Sequence, residues 1–407
     1  MRDIWKTTAL PHVFEGERCR LAGGLLLLCC PVVLQAAEVS FDPAAAVALG
    51  YESNAALTTG PHDAASYFTI SPGLTIRRTT ETSAINLGLL ANATNYTGDE
   101  FDNTHEELIQ LSSFLQSTER TRLGLDANLR WDTLFEWAAL GTGTGNIQDV
   151  DIGLASTKVR RNWRELLPSI NYALTERSFV TFRYRLTDVL FDDVGTTGLV
   201  DYQQQFLSGT YSYKLTVVND LNVVIQGSQY RPATGTDSDT VGLLAGITHT
   251  FSPTANAGFL AGVNKTTETL ADSSHIDTRT FTFEARATQR SELSQLEGIL
   301  SLDVQPSGSG KSVEADQLRI YWNRALSPTS GFLLRTTIFR THTLEGPDSL
   351  DDRLYAEAET GIGWNWTPEW FFRVAYTYRY QKRDVDSDSA DSSGVSATLA
   401  WAPLRRK

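Results

Sequence analysis

From about residue 38 to the end, apolar and aromatic residues take every second place, and this fixes what the chain can fold into. "INLGLLANA" (85–93), "SFVTFRYRLT" (178–187) and "FFRVAYTYRYQ" (371–381) are examples. A period of two gives a strand two chemically different faces, whereas a helix needs a period of 3.6, and no window of helical length sustains that. The chain is therefore expected to be all-β.

The breaks between the alternating runs are of two kinds, and the kinds strictly alternate. Short ones, such as TTET (79–82), SPT (252–254) and WTPE (366–369), recur near residues 80, 118, 176, 217, 253, 291, 328 and 367. Long, polar, acidic ones lie between them, such as FDDVGTTG (191–198), EGPDSLDD (345–352) and DVDSDSADSS (384–393). Most intervals between short breaks are 36–41 residues; the one of 58 holds an extended loop at 134–157. Two strands, one tight turn and one long loop make a hairpin repeat. Counting strands gives eighteen, with both chain ends on the short-turn side.

An even strand count, strands of about ten residues, short turns on one edge and long loops on the other describe a transmembrane antiparallel up-and-down β-barrel. The turns would be periplasmic, the loops extracellular, and the location the bacterial outer membrane. Val180, Phe182, Tyr184 and Leu186 share one face of their strand, and Phe372, Val374, Tyr376, Tyr378 and Tyr380 share one face of theirs; these are expected to meet lipid. Trp364, Trp366 and Trp370 cluster at a short-turn edge, where an interfacial aromatic girdle belongs. A propeller, the soluble alternative, has four-stranded blades and no such long-short alternation.

Composition narrows the function. Residues 21–34, LAGGLLLLCCPVVL, follow Arg18 and Arg20 and precede QAA, the pattern of a cleaved secretory signal, so residues 1–37 are read as signal peptide and 38–407 as barrel. The charged stretch before that run points to a start downstream of Met1. Cys19, Cys29 and Cys30 all fall within the signal, which leaves the mature chain without disulfide, thiolate metal site or cysteine nucleophile. With the signal removed, 31 Lys and Arg stand against 45 Asp and Glu, an acidic balance that argues against nucleic acid.

"QPSGSGKS" (305–312) contains the tail of a phosphate-binding loop, but Gln305 stands where the first glycine should be. A strand follows it rather than a helix, so it is read as a flexible extracellular loop that binds no nucleotide, like GTGTG (141–145). No Ser/His/Asp spacing, cofactor motif or calcium loop stands out, so the chain is read as a non-enzyme with no cofactor.

"VALGYESNAALT" (47–58), "LLPSINYALTERSFVTFRYRLTDVLF" (166–191) and "GITHTFSPTANAGFLAGV" (246–263) give the sequence its resemblance to the outer-membrane β-barrel porins encoded in exopolysaccharide loci. The first matches a Gly-Tyr-Asp/Glu-Ser-Asn phrase near the mature N-terminus, and the others match the cadence of strand, turn and strand. The resemblance covers most of residues 40–402 and implies passage of a secreted polysaccharide, with no catalytic residues. Here Trp401 is followed by APLRRK, whereas many such barrels end on an aromatic residue.

The expected function is thus an outer-membrane channel for an exopolysaccharide, an acidic one if arginines select it. A general or substrate-specific uptake porin, or a structural barrel without transport, is the alternative. Lipid, lipopolysaccharide, the saccharide substrate and periplasmic polysaccharide-export proteins are the expected partners. Eighteen strands enclose an aqueous lumen. Its expected lining includes Arg122, Arg130, Arg183, Arg185, Arg286, Arg319, Arg335, Arg373 and Arg379, against Asp126, Glu284, Glu297 and Asp303. Most of these charges are expected to pair and stiffen the wall, and a subset to select anions. The long 134–157 segment, with Trp137, Asp149 and Asp151, is the candidate constriction loop.

Overall fold

In a computed structural model, the structure describes residues 37–60, 62–97, 103–133, 159–192, 194, 198–270, 273–344, 352–383 and 389–403. Eighteen strands follow one another in chain order. They are β1 (Glu38–Glu52), β2 (Ala65–Thr79), β3 (Ser83–Tyr96), β4 (Thr104–Thr118), β5 (Thr121–Thr133), β6 (Arg160–Ala173), β7 (Ser178–Phe191), β8 (Tyr202–Lys214) and β9 (Asn219–Pro232). Then come β10 (Asp237–Ser252), β11 (Ala255–Thr269), β12 (His275–Arg290), β13 (Ser294–Pro306), β14 (Ser312–Ala325), β15 (Ser330–Thr343), β16 (Arg353–Asn365), β17 (Trp370–Arg383) and β18 (Ser389–Trp401).

Each strand pairs antiparallel with its sequence neighbours, and β18 pairs with β1, from Ala45 opposite Trp401 to Glu52 opposite Gly394. The sheet is closed. Closure removes the free edges that hydrocarbon would leave without hydrogen-bond partners. The first strand begins at Glu38, and Glu38–Ala44 pairs with β2 through Gly73–Thr79.

The two faces separate as the period of two demands. Leu49, Ile225, Val241, Leu243, Val263 and Phe281 point outward and are 54–64% exposed, which in water would be costly and in lipid is not. Trp364, Trp366 and Trp370 stand exposed beside the short turn at 366–369, and Trp370 lies across from Trp401. This is a bacterial outer-membrane barrel with short periplasmic turns and longer extracellular loops. Two prolines, Pro72 and Pro168, interrupt pairing locally. The β2–β3 ladder passes from Ile70 to Gly73, and the β6–β7 ladder from Leu166 to Ser169, since proline has no N–H to give.

The expected signal segment lies outside the described residues apart from Ala37. So do Trp137, Asp149 and Asp151 of the candidate constriction loop.

A candidate anion pathway through the lumen

Cross-strand registers show what faces inward. Tyr67, opposite Gly50, shares the inner face with Thr69, and Thr69 bonds Thr94 across β2–β3 at 3.0 Å between hydroxyls. Carrying this parity around the ring puts Arg122 and Arg130 of β5, Arg183 and Arg185 of β7, Arg286 of β12, Arg319 of β14, Arg335 of β15, and Arg373 and Arg379 of β17 on the inner face. The same parity turns Asp126, Glu284, Glu297 and Asp303 inward.

These arginines are held in place differently. The Arg122 guanidinium lies 4.0 Å from the Phe114 ring centre, and that of Arg185 lies 5.1 Å from Phe206. Arg130 approaches Asp132 at 3.6 Å, and Arg286 approaches Glu284 at 3.6 Å. Arg335 and Arg373 share one carboxylate, Glu359, at 3.3 and 3.2 Å. Arg379 reaches Glu52 across the barrel seam, from β17 past β18 to β1. The acids are similarly placed: Glu297 meets Arg290 at 3.3 Å, and Asp303 accepts bonds from Asn264 at 2.8 Å, Thr282 at 3.3 Å and the Val304 N–H at 2.9 Å.

Several lumen charges escaped the sequence reading. Arg161 donates through Nε (3.0 Å) and Nη2 (2.7 Å) to Asp132, and both side chains are almost fully buried. Arg353 and Arg383 lie directly opposite each other at the extracellular end of β16–β17, and Arg353 sits 5.3 and 5.1 Å from the rings of Phe339 and Tyr355. All three arginines lie in the first or last residues of strands beside acidic loops, where alternation is too short to fix parity. Doublets such as Arg160-Arg161 could in principle have been resolved by counting back from Trp163.

The GSGKS segment corrects its reading as a flexible extracellular loop. Residues 307–311 fold inward over the lumen. Tyr230 Oη donates to the Ser307 carbonyl at 2.7 Å, the Val200 N–H to Gly308 O at 2.7 Å, and the Thr236 N–H to Gly310 O at 3.1 Å. The loop between β13 and β14 thus reaches the β7–β8 and β9–β10 loops, passing over the β11–β12 hairpin. Gly235 (φ 119°) and Gly310 (φ 85°) meet so closely that a Cβ on Gly235 would fall 2.5 Å from the Gly310 carbonyl oxygen. Beneath them, Trp163, Val189, Phe191, Leu199, Tyr202 and Tyr230 form a buried apolar cluster. A chain segment and an apolar plug therefore occupy one side of the extracellular mouth.

Balance differs around the ring. On β14–β17 the inner face carries six arginines (319, 335, 353, 373, 379 and 383) against Glu357 and Glu359. From Arg383 to Arg373 this file descends ten residues of β17, roughly 33 Å at the rise of a strand.

No family model and no curated protein matches the sequence. Solved structures with similar folds include Pseudomonas aeruginosa OccK2 (OpdF) in complex with glucuronate, at 11% identity and a TM-score of 0.47, with 90% of this chain and 99% of that one covered. P. aeruginosa OpdK with vanillate gives 9% identity and a TM-score of 0.46, over 89% and 99% of the two chains. A BenF-like porin from Pseudomonas fluorescens Pf-5 gives 9% and 0.46, over 90% and 99%. At identities of this size the likeness says nothing about which solute this chain passes. None of the three names speaks of exopolysaccharide, so the association with exopolysaccharide loci gains no support from them.

Proposed function

We infer that the chain is an anion-selective outer-membrane channel for small acidic solutes, a substrate-specific porin rather than an exporter of polymer. The surplus of guanidinium over carboxylate on β14–β17 carries this reading. Guanidinium groups facing a narrow aqueous path lower the free energy of anions there and raise that of cations. Counting Glu52, which reaches Arg379 from β1, six arginines still face three carboxylates along that wall. The 307–311 segment and the apolar cluster below it take up mouth space, which suits a solute of one or two rings better than a continuously threaded polysaccharide.

The test is the reversal potential of the purified, refolded protein in a planar bilayer under a KCl gradient. Anion selectivity is expected, and cation selectivity would overturn the reading.

A further inference from the structure

At the periplasmic end of the arginine-rich wall, the inner face opens into a cavity of about 400 Å³, a size usual for small-ligand sites. Its position follows from the sequence: Gly331 and Gly363 face each other across β15–β16 and leave the wall there without side chains. The Phe371 ring lies across Gly363, so close that a Cβ at 363 would fall 2.4 Å from Phe371 Cζ. Phe371 points into the lumen and yet is 38% exposed, an aromatic platform offered to water. Above it stand Arg335 and Arg373 on their shared Glu359, a triad with one net positive charge. The exposed amides of Asn323 and Asn365 line it too, together with Tyr321 and the β14–β15 turn.

We propose that this niche is a binding subsite for a uronic acid, the last station of the channel before the periplasm. This rests on the anion-channel reading and names the substrate class. Each group has a partner in such a ligand. A carboxylate meets the guanidiniums, whose planar N–H donors match it in geometry. Ring hydroxyls meet the two amides, which both donate and accept. The C–H face of the pyranose lies on Phe371, where a polar wall would give it nothing. A simple inorganic anion would use only the arginines, a neutral sugar only the amides and ring, and an aromatic acid would leave the amides unmatched.

Single-channel block by galacturonate, glucose and benzoate tests this. Galacturonate is expected to block about tenfold more tightly than either comparator, a difference of about 1.4 kcal/mol. Phe371→Ala and Asn365→Ala should each weaken galacturonate block severalfold, and Gly363→Ala should do so by displacing the ring. Should Phe371→Ala fail to fold, which its heat-modified gel mobility would reveal, Asn365→Ala and Phe371→Leu decide alone. Equal block by benzoate, or wild-type block in the variants that fold, would overturn the subsite. An anion-selective channel that galacturonate does not block would sink the subsite and leave the channel reading standing; a cation-selective one would sink the channel reading itself.

Discussion

Two walls of the barrel use the same residue to different ends. On β4–β7 the inner face holds five arginines (122, 130, 161, 183 and 185) against four carboxylates, Glu106, Asp126, Asp132 and Glu165. Across the lumen, β14–β17 hold six against two. The first wall is close to neutral, and its best-made contact, Arg161 with Asp132, is buried away from the passage. On the second, one glutamate serves two arginines that remain partly exposed. An arginine in a barrel lumen is therefore not by itself a selectivity residue. What matters is whether carboxylates on neighbouring strands cancel it and whether water reaches it.

The largest effect should come from the paired wall. Asp132→Ala removes the bidentate acceptor of a buried guanidinium, and breaking such a pair costs about 3–5 kcal/mol. Urea unfolding in lipid vesicles would show it, with the chloride-to-potassium permeability ratio little changed. If that ratio instead collapses, the division between structural and selecting walls fails.

Next comes the loop across the mouth. Tyr230→Phe deletes the bond to the Ser307 carbonyl, which keeps only the longer bond from the Gly310 N–H at 3.2 Å, a cost of about 0.5–1.5 kcal/mol. Open-channel noise should rise as 307–311 loosens, and unchanged noise would mean that this bond does not hold the segment.

The surplus wall should give smaller but selective effects. One charge about 10 Å away through water is worth ~0.4 kcal/mol, so Arg335→Gln and Arg373→Gln should each lower anion selectivity about twofold. Neither Arg183→Gln on β7 nor Arg122→Gln on β5 should match them, since near-balanced neighbours surround both. Equal losses on the two walls would erase the comparison.

Salt gives the mildest test. Raising ionic strength from 0.1 to 1 M shortens the screening length from about 10 to about 3 Å, so selectivity carried by the partly exposed Arg335 and Arg373 should fade. Selectivity that persists in 1 M salt would point to a narrower, drier site than this wall provides.

Much of this was legible beforehand. Strand number, the alternation of turns and loops, and the inward parity of nine arginines all follow from a period of two that leaves a side chain only two choices of face. The faces of "SFVTFRYRLT" needed no structure, because four alternating apolar residues fix its parity. Arg161, Arg353 and Arg383 were missed where strands fray into acidic loops and parity has no run to rest on. GSGKS was recognised as a loop, yet its burial was invisible, because glycine and serine carry no signal of what they pack against. Phe371 was not singled out, although it shares the parity of Arg373 and so turns inward.

Sequence by itself determined the barrel, its two faces and its two rims, since each depends on local alternation and spacing. Only the tertiary structure decided which inward charges meet. Arg379 finds Glu52 327 residues away because the ring closes β18 onto β1. Tyr230 finds Ser307 77 residues away because a loop folds inward over the lumen. Alternation fixes which side of the wall a residue faces; curvature and closure fix its neighbours, and so where positive charge is left over.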